Sequence, residues 1–186
     1  SRHRRGVARG GANEVVDALP VDRFRVAAGA VLDIGVSVED GRLVWQEHTA
    51  RGATLEALRH IEGDLREPLA DGFTGELRTR DGVWLPGIAA SLAQGMVLLV
   101  DYGLPRRQFY HPHRSGGTVR CYFRHRQHAD PLLYPGLTDI TASVDFTALA
   151  EAATEAGLTV AGFATQAHFL MSLGLDRELA ERAAPL

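Results

Sequence analysis

Residues 96–103 read MVLLVDYG, and this stretch decides the fold class. It is a short aliphatic run without polar alternation, which is typical of a strand buried on both faces of a parallel sheet. The residues before it, WLPGIAASLAQG at 84–95, predict a helix that ends at Gly95. A helix that leads directly into a buried strand indicates an α/β fold.

The chain downstream of this strand repeats the alternation after a long loop. Residues 144–157 predict the clearest helix of the chain. LTVAGFAT at 158–165 then predicts another strand, and QAHFLMSLGL at 166–175 predicts a short helix. Ligands of open α/β sheets bind beyond the carboxyl ends of the strands, so we expect the site in the loops that open at Asn13 and Asp101.

The chain upstream of this strand predicts a different arrangement, an antiparallel β-meander over 23–47. RFRVA, AVLDIGVSV and RLVWQE have the composition of strands, and turns at Gly29 and at Asp40-Gly41 separate them. Asp-Gly between alternating apolar runs is a strong hairpin signal. TLEALRHIE at 54–62 has apolar residues at helical spacing, so a helix follows the meander.

The composition is that of a globular protein in a reducing compartment. The chain has 186 residues, of which 45% are hydrophobic, which suits one domain or a large part of one. A single cysteine cannot form an internal disulfide, so we expect a cytoplasmic protein. The longest purely apolar run, Met96–Val100, is far shorter than the ~20 residues of a membrane span, and we expect no secretory signal at the basic N-terminus.

The segment 105–128 is strongly basic, with six Arg, four His and no acidic residue, although the formal net charge of the chain is −3. Its aromatic residues argue against disorder, and a loop of this length in a compact domain is usually functional. Basic side chains among aromatic rings can also stack on single-stranded nucleic acid. The His-x-His and His-x-x-His spacings are compatible with a metal, but no Cys or carboxylate set accompanies them, and we predict no metal site.

Acidic residues lie in the first of the two candidate loops. This loop reads NEVVDALP, and a helical turn starting near Asn13 would place Glu14 and Asp17 on one face. Two carboxylates on one face can bind a cation or accept a proton. Alternatively, they are acids at a helix N-terminus that interact favourably with the helix dipole.

A third polar segment precedes the clearest predicted helix. Residues 135–146 read PGLTDITASVDF. Turn and capping chemistry explains Ser143 and Asp145. It explains Asp139 less well, so Asp139 is a candidate functional residue.

Three of these segments together resemble one family. They are NEVVDALP, the block VLLVDYGLPRRQFYHPHRSGGTVRCYFRHRQHADPLLYPGLTDITASVDFTALAEAA, and GFATQAHFLMSLGL. They resemble the C-terminal half of the MidA family of class I S-adenosylmethionine-dependent methyltransferases, over residues 12–175. The resemblance implies that the chain is the C-terminal portion of a Rossmann-like methyltransferase sheet, with the β-meander as an insertion.

The resemblance also implies a division of the chain and its partners. Residues 1–20 would end the donor-binding half, 21–95 would be the inserted meander and helices, and 96–186 the C-terminal strands and helices of the sheet. S-adenosylmethionine would be bound mainly by an N-terminal half that precedes this chain. The mitochondrial relative is an arginine methyltransferase acting on a subunit of respiratory complex I. We therefore expect protein arginine methylation, with a respiratory complex subunit as a candidate substrate.

The resemblance suggests roles for residues of both loops. Glu14, followed by Asp17, would be the catalytic carboxylate that orients a guanidinium, because carboxylates match that planar cation. Asn13 would lie at the methyl end of the donor. The substrate side would be lined by Asp101, Tyr102, Arg120, Tyr122, His125, Asp139 and Thr141.

The chain departs from the family pattern at VARGGA, residues 7–12, where the family has an aliphatic strand. That strand is therefore not expected from the sequence. Two other functions remain open. One is a non-catalytic assembly or interaction factor that keeps the fold, and the other is a nucleic-acid-binding module built on the basic segment. The acidic character of the rest of the chain disfavours the second.

Overall fold

The computed structural model describes residues 6–183, and over that range the chain is a mixed α/β protein. The strands, in chain order, are β1 (Gly6–Asn13), β2 (Asp22–Ala27), β3 (Ala30–Glu39), β4 (Arg42–Thr49), β5 (Thr74–Leu77), β6 (Leu92–Val100), β7 (Gly103–Leu104), β8 (Arg120–Phe123), β9 (Arg126–His128), β10 (Asp139–Thr141) and β11 (Val144–Asp145). The α-helices are α1 (Ala53–Asp64), α2 (Asp81–Ser91), α3 (Arg106–Phe109), α4 (Phe146–Glu155), α5 (Gln166–Ser172) and α6 (Leu175–Ala183). No helix within the described range is both long and apolar enough to cross a membrane.

β1 and β6 form a parallel pair, which confirms the strand predicted after the second helix. They are paired from Gly6 opposite Leu92 to Asn13 opposite Val100. The expectation that VARGGA forms no strand is wrong. Strand pairing uses backbone N–H and C=O groups, and glycine supplies these as well as an aliphatic residue does.

Helix α2 ends earlier than its sequence predicts. It stops at Ser91 and β6 begins at Leu92, so Gly95 lies inside the strand rather than at the helix end. The chain is extended from Leu92 onward because β6 pairs with β1 from its first residue. The predicted burial of β6 on both faces is not met within the described residues, because the side chain of Met96 is 58% exposed and that of Leu98 38%.

The β-meander is confirmed, and it gains a fourth strand. Its sheet has the order β4-β3-β2-β5, and all three pairings are antiparallel. The Asp40-Gly41 turn has φ angles of 49° and 73°, and the Ala28-Gly29 turn has 51° and 75°. Two successive left-handed residues are the geometry that favours glycine in two-residue hairpins. The helix predicted at 54–62 is α1.

The long segment between β6 and α4 is folded into short elements. β7 pairs in parallel with β11, and β8 lies between β9 and β10 in a three-stranded antiparallel sheet. Asp145 caps the N-terminus of helix α4, since its Oδ1 accepts the N–H groups of Thr147 and Ala148 at 3.0 and 3.2 Å. The strand predicted at 158–165 is wrong, because no strand of the described structure pairs with these residues. The short helix predicted after them is α5.

Two apolar cores hold these elements together. The first lies between the meander and helices α1 and α3, and its buried members are Phe24, Leu58, Ile61, Phe73, Leu77, Phe109 and Tyr110. The second packs α2 and α4 together, and its buried members are Val16, Leu85, Val144, Leu149 and Ala152. Val16 belongs to the loop that follows β1, so the second core fixes the position of that loop.

A buried arginine joins three segments that are distant in sequence. Nε and Nη2 of Arg78 donate to the carboxylate of Asp81 at 2.9 and 3.1 Å. Nη2 also donates to the carbonyl of Val16 at 2.5 Å, and Nη1 to that of Ser143 at 3.4 Å. The side chains of Arg78 and Asp81 are 1% and 2% exposed, so water cannot replace these contacts.

A second buried arginine joins helices α1, α3 and α4. Nη1 of Arg106 donates to Asp64 at 2.5 Å and to Glu151 at 2.9 Å, and Nε lies 3.5 Å from the carboxylate of Asp145. This side chain is one of the six arginines of the basic segment. Its charge is therefore used inside the fold rather than presented to a ligand.

We expect Arg78→Met to lower the free energy of unfolding by about 3–5 kcal/mol, because it leaves the Asp81 carboxylate buried without its partner. Urea unfolding followed by circular dichroism measures this. Arg80→Met, on the exposed surface two residues away, is the control and should change the value by less than about 0.5 kcal/mol. Adding Asp81→Leu to Arg78→Met should recover much of the loss. No recovery in the double variant would show that the carbonyl contacts, and not the ion pair, carry the stability.

Candidate active site

A sharp turn occupies the carboxyl ends of β1 and β6. Asn13 is the last residue of β1, and Glu14 follows it with a left-handed φ of 51°. The N–H of Glu14 donates to the carbonyl of Val100, the last residue of β6, at 2.9 Å. A left-handed conformation is uncommon for residues other than glycine, and such strain is frequent at functional sites. The turn leaves Glu14 exposed at this edge.

The carboxylate of Asp101 holds this turn in place. Its Oδ2 accepts the N–H groups of Val15, Val16 and Asp17 at 3.2, 2.9 and 3.2 Å. Its Oδ1 accepts the N–H of Tyr102 at 2.8 Å. Backbone donors therefore occupy both oxygens, and the side chain acts on the site by positioning the turn. A direct contact between Asp101 and a substrate stays a prediction.

The expected helical turn starting near Asn13 does not form. The left-handed φ of Glu14 is incompatible with a right-handed helix, and the carboxylate of Asp101 takes the N–H groups that a capping residue would bind. Glu14 is exposed, whereas Asp17 is only 9% exposed. The two acids therefore lie at different depths of one site, and the helix-dipole interpretation no longer applies to them.

Three other carboxylates lie close enough to Asp17 to affect its pKa. Burial raises the pKa of Asp17, and the negative charges of Asp101, Glu14 and Asp139 raise it further, while an N–H donor at Ala18 opposes them. The carboxylate of Glu14 raises the pKa of the Tyr102 hydroxyl, and Tyr102 is 67% exposed. We call Glu14, Asp17, Asp101 and Asp139 the acidic cluster.

A strand ladder borders the acidic cluster on one side. Asp139 of β10 lies opposite Tyr122 of β8, and Thr141 lies opposite Arg120. The residue after Thr141, Ala142, donates its N–H to the carbonyl of Asp17 at 2.9 Å. The structure thus brings the predicted residues of β8 and β10 beside the turn after β1.

His125 is the predicted site residue that the structure places farthest along this ladder. It lies in the two-residue turn between β8 and β9. Arg120 is at the other end of β8. The side chain is exposed. A role in direct contact with reactants at the acidic cluster therefore has no geometric support, while a role in binding a longer substrate stays open.

A buried glutamate supports the start of this ladder. Oε2 of Glu76 accepts the N–H and the hydroxyl of Thr118 at 2.8 and 3.0 Å, and the hydroxyl oxygen of Thr118 accepts the N–H of Ser143 at 3.1 Å. Burial raises the pKa of Glu76, and the hydrogen bonds from Thr118 oppose that shift. Arg23 lies 3.8 Å from the other oxygen.

Sequence reasoning did not identify Arg78, Glu76 or Thr118 as parts of the site. The one local signal is the spacing of Arg78 and Asp81, which suits an ion pair three residues apart. Nothing in a single sequence shows that such a pair is buried. Among residues 6–183, no three His, Cys, Asp or Glu side chains are arranged to hold a metal ion.

The chain is similar to known proteins over most of its length. The sequence profile of a family of S-adenosyl-L-methionine-dependent methyltransferases matches residues 11–164. The mitochondrial protein arginine methyltransferase NDUFAF7 homolog of Caenorhabditis elegans is 29% identical over 170 residues, and NDUFAF7 of Danio rerio is 29% identical over 180. Each of these alignments covers 90% of this chain and 37% of the relative, so the chain spans little more than a third of their length.

Solved structures agree with this similarity. A protein from Burkholderia thailandensis crystallised with S-adenosyl-homocysteine has a TM-score of 0.84 and 37% sequence identity, over 95% of this chain and 45% of that one. A second, native structure from the same organism has a TM-score of 0.84 and 36% identity, over 95% and 46%. Because the family profile spans well over half of the chain, and these structures share its fold, the chain belongs to this family of S-adenosylmethionine-dependent methyltransferases.

Proposed function

We propose that this chain forms the acceptor-binding part of an S-adenosylmethionine-dependent methyltransferase whose acceptor is a protein arginine. The observation that carries the proposal is the acidic cluster at the carboxyl ends of two parallel strands. Such an edge is where a Rossmann-like sheet binds its ligands. In this proposal residues 1–20 end the donor-binding half, 21–95 are the insertion, and 96–186 complete the sheet. The S-adenosyl-homocysteine bound in the Burkholderia structure supports the donor, and the similarity to the NDUFAF7 protein arginine methyltransferases supports the acceptor.

The charge of the cluster fits both reactants. S-adenosylmethionine carries a sulfonium cation and supplies the methyl group, and the arginine acceptor carries a guanidinium cation. Carboxylates are the matching partners of a guanidinium, because both are planar and can form two parallel hydrogen bonds. Asn13 and Glu14 are exposed at the end of β1, so they are the residues of this chain best placed to meet the donor and the acceptor.

In methyl transfer the protein mainly positions the reactants and places charged groups around them. Methyl transfer is a displacement in which the guanidinium nitrogen bonds to the methyl carbon as the bond from that carbon to sulfur breaks. The nitrogen must also lose a proton. Glu14 would orient the guanidinium, and Asp17 would accept the proton, because a raised pKa makes its carboxylate a stronger base.

The ladder beside the cluster gives the acceptor a surface to lie along. Tyr122 and Asp139 are exposed on neighbouring strands, and Arg120 is exposed at the end closest to the turn. Thr141 is partly buried opposite Arg120. These side chains would contact the polypeptide on either side of the target arginine, which is the role that the family resemblance suggests for them.

We expect Glu14→Gln to lower the rate of methyl transfer by roughly 10² or more, because it removes the charge that orients the guanidinium while keeping the shape. The full gene product is assayed with methyl-labelled S-adenosylmethionine and arginine peptides, and thermal unfolding is recorded on the same samples. The midpoint of unfolding should barely change. Glu39→Gln, the same substitution at the exposed end of β3, is the control and should leave the rate within about twofold.

Two results of this assay would count against the proposal. A near-normal rate in Glu14→Gln would remove Glu14 from the reaction. A wild-type protein that transfers no methyl group to any arginine peptide would instead indicate a non-catalytic factor that keeps the fold.

Asp101→Asn should lower the pKa of Asp17, because it removes one of the negative charges that raise it while an oxygen remains to accept the N–H groups of the turn. The reaction needs Asp17 unprotonated, so the rate should increase as pH rises through the pKa of Asp17. In Asp101→Asn that increase should move to lower pH. A pH–rate profile, with ¹³C NMR titration of labelled aspartates, measures the shift. Asp40→Asn, in the exposed turn between β3 and β4, is the control. An unmoved profile in Asp101→Asn would exclude Asp17 as the proton acceptor.

A further inference from the structure

The hairpin of β8 and β9, residues 120–128, presents positive charge that the fold does not use. We call it the basic hairpin. The side chains of Arg120, Arg124 and Arg126 are exposed. In the described part of the chain, no carboxylate lies within ion-pair distance of any of the three. Arg106 of the same basic segment is surrounded by carboxylates, so the segment contains both structural and unpaired arginines.

The turn of the basic hairpin lacks the residues that its backbone geometry favours. Arg124 and His125 have left-handed φ angles of 49° and 61°. Two other two-residue hairpins in the described residues, at Ala28-Gly29 and Asp40-Gly41, have glycine at the second position, where it relieves this strain. Arg-His in that position is costly for folding. Strain that a sequence retains in this way points to a function of the side chains themselves.

The basic hairpin is also held rigidly. The rings of Phe123 and Tyr134 stack with their centroids 4.4 Å apart. The guanidinium of Arg124 lies over the ring of Phe123, with its carbon 5.3 Å from the centroid. A cation fixed against an aromatic ring loses less conformational freedom on binding an anion than a mobile one does.

Asp17 and the turn of the basic hairpin lie at opposite ends of one ladder. Arg120 is opposite Thr141, and the next residue, Ala142, donates its N–H to the carbonyl of Asp17, whereas Arg124 is four residues after Arg120, in the turn that follows β8. At ~3.3 Å per residue the two ends are about 13 Å apart. An extended peptide advances by a similar length per residue, so about four residues would span this distance.

We propose that the basic hairpin binds an acidic segment of the methyl-accepting protein, about four residues from the target arginine. This inference rests on the proposed function, because the acidic cluster must hold that arginine. A peptide of mixed charge complements both ends of the ladder. A nucleic acid does not, because its continuous negative charge would extend from the basic hairpin onto Asp139 and the rest of the acidic cluster.

Binding of labelled peptides to the full gene product, followed by fluorescence anisotropy, tests the inference. Each peptide has one arginine and two adjacent glutamates placed two, four or eight residues away, on either side. The control peptides have glutamine in place of glutamate. The four-residue spacing should bind about tenfold more tightly than its glutamine control, the scale of a few exposed ion pairs, and the difference should shrink as salt rises.

Two sets of variants assign the effect to the basic hairpin. Arg124→Asn with His125→Gly creates the preferred turn sequence, so the midpoint of unfolding should stay or rise while the preference for glutamate is lost. This variant excludes misfolding as the reason for weaker binding. Arg124→Glu with Arg126→Glu should reverse the preference toward peptides that carry lysine instead of glutamate. Arg59→Glu, on the exposed surface of α1, is the matched control and should change nothing.

Each contrary result has a distinct meaning. Equal binding of glutamate and glutamine peptides, or a glutamate preference that survives Arg124→Glu with Arg126→Glu, overturns the inference. A single-stranded oligonucleotide that binds more tightly than the acidic peptides, and loses that binding in the same variants, overturns it in favour of nucleic acid. A glutamate preference that depends on the basic hairpin, without methyl transfer to any peptide, overturns the proposed function and leaves an acid-binding surface.

Discussion

The buried guanidinium of Arg78 is the interaction on which the rest of the structure depends. Its donors reach Asp81 at the start of α2, the carbonyl of Val16 in the turn after β1, and the carbonyl of Ser143 between β10 and β11. A guanidinium can serve three acceptors at once because its N–H groups point outward in one plane, whereas an ammonium acts as a compact point charge. Arg78 therefore helps to fix the turn after β1 relative to the segment between β10 and β11.

Glu76, two residues before Arg78, holds a neighbouring segment of the chain through buried hydrogen bonds. Glu76 in β5 and Arg78 directly after this strand are both buried, and Leu77 between them belongs to the first apolar core. Glu76 fixes Thr118 at the start of the basic hairpin's strand β8, and the Thr118 hydroxyl fixes Ser143. The backbone at Gly117 lies so close to Glu76 that a Cβ at Gly117 would be 2.3 Å from an oxygen of Glu76. Glu76 and Arg78 thus hold the end of the ladder that is nearest the site, where β8 begins and β10 ends.

Elements with strong local patterns are the ones that the sequence predicts correctly. The meander has turn residues at its hairpins, and α4 has an Asp cap and a glycine at its end, so both follow from contacts within a few residues. β1 and the residues at 158–165 show the opposite case. VARGGA becomes a strand because β6 lies beside it, and LTVAGFAT does not become one because nothing in the described structure pairs with it. Whether a weak strand sequence forms a strand is decided by a partner distant in sequence.

The candidate site also contains residues that the local sequence identifies and residues whose roles depend on distant partners. Glu14 and Asp17 could be singled out because two acids three residues apart in a loop are visible in the sequence itself, and Asp139 because capping does not explain it. The role of Asp101 could not, because its three acceptor contacts join residues that are 84 to 86 positions apart. Arg78 has a local partner in Asp81, but its two carbonyl acceptors, and the Thr118 donors of Glu76, are 42 to 65 positions away. A sequence therefore shows which groups can do chemistry. The burial that changes their pKa values, as it raises that of Asp17, arises only when segments distant in sequence pack together.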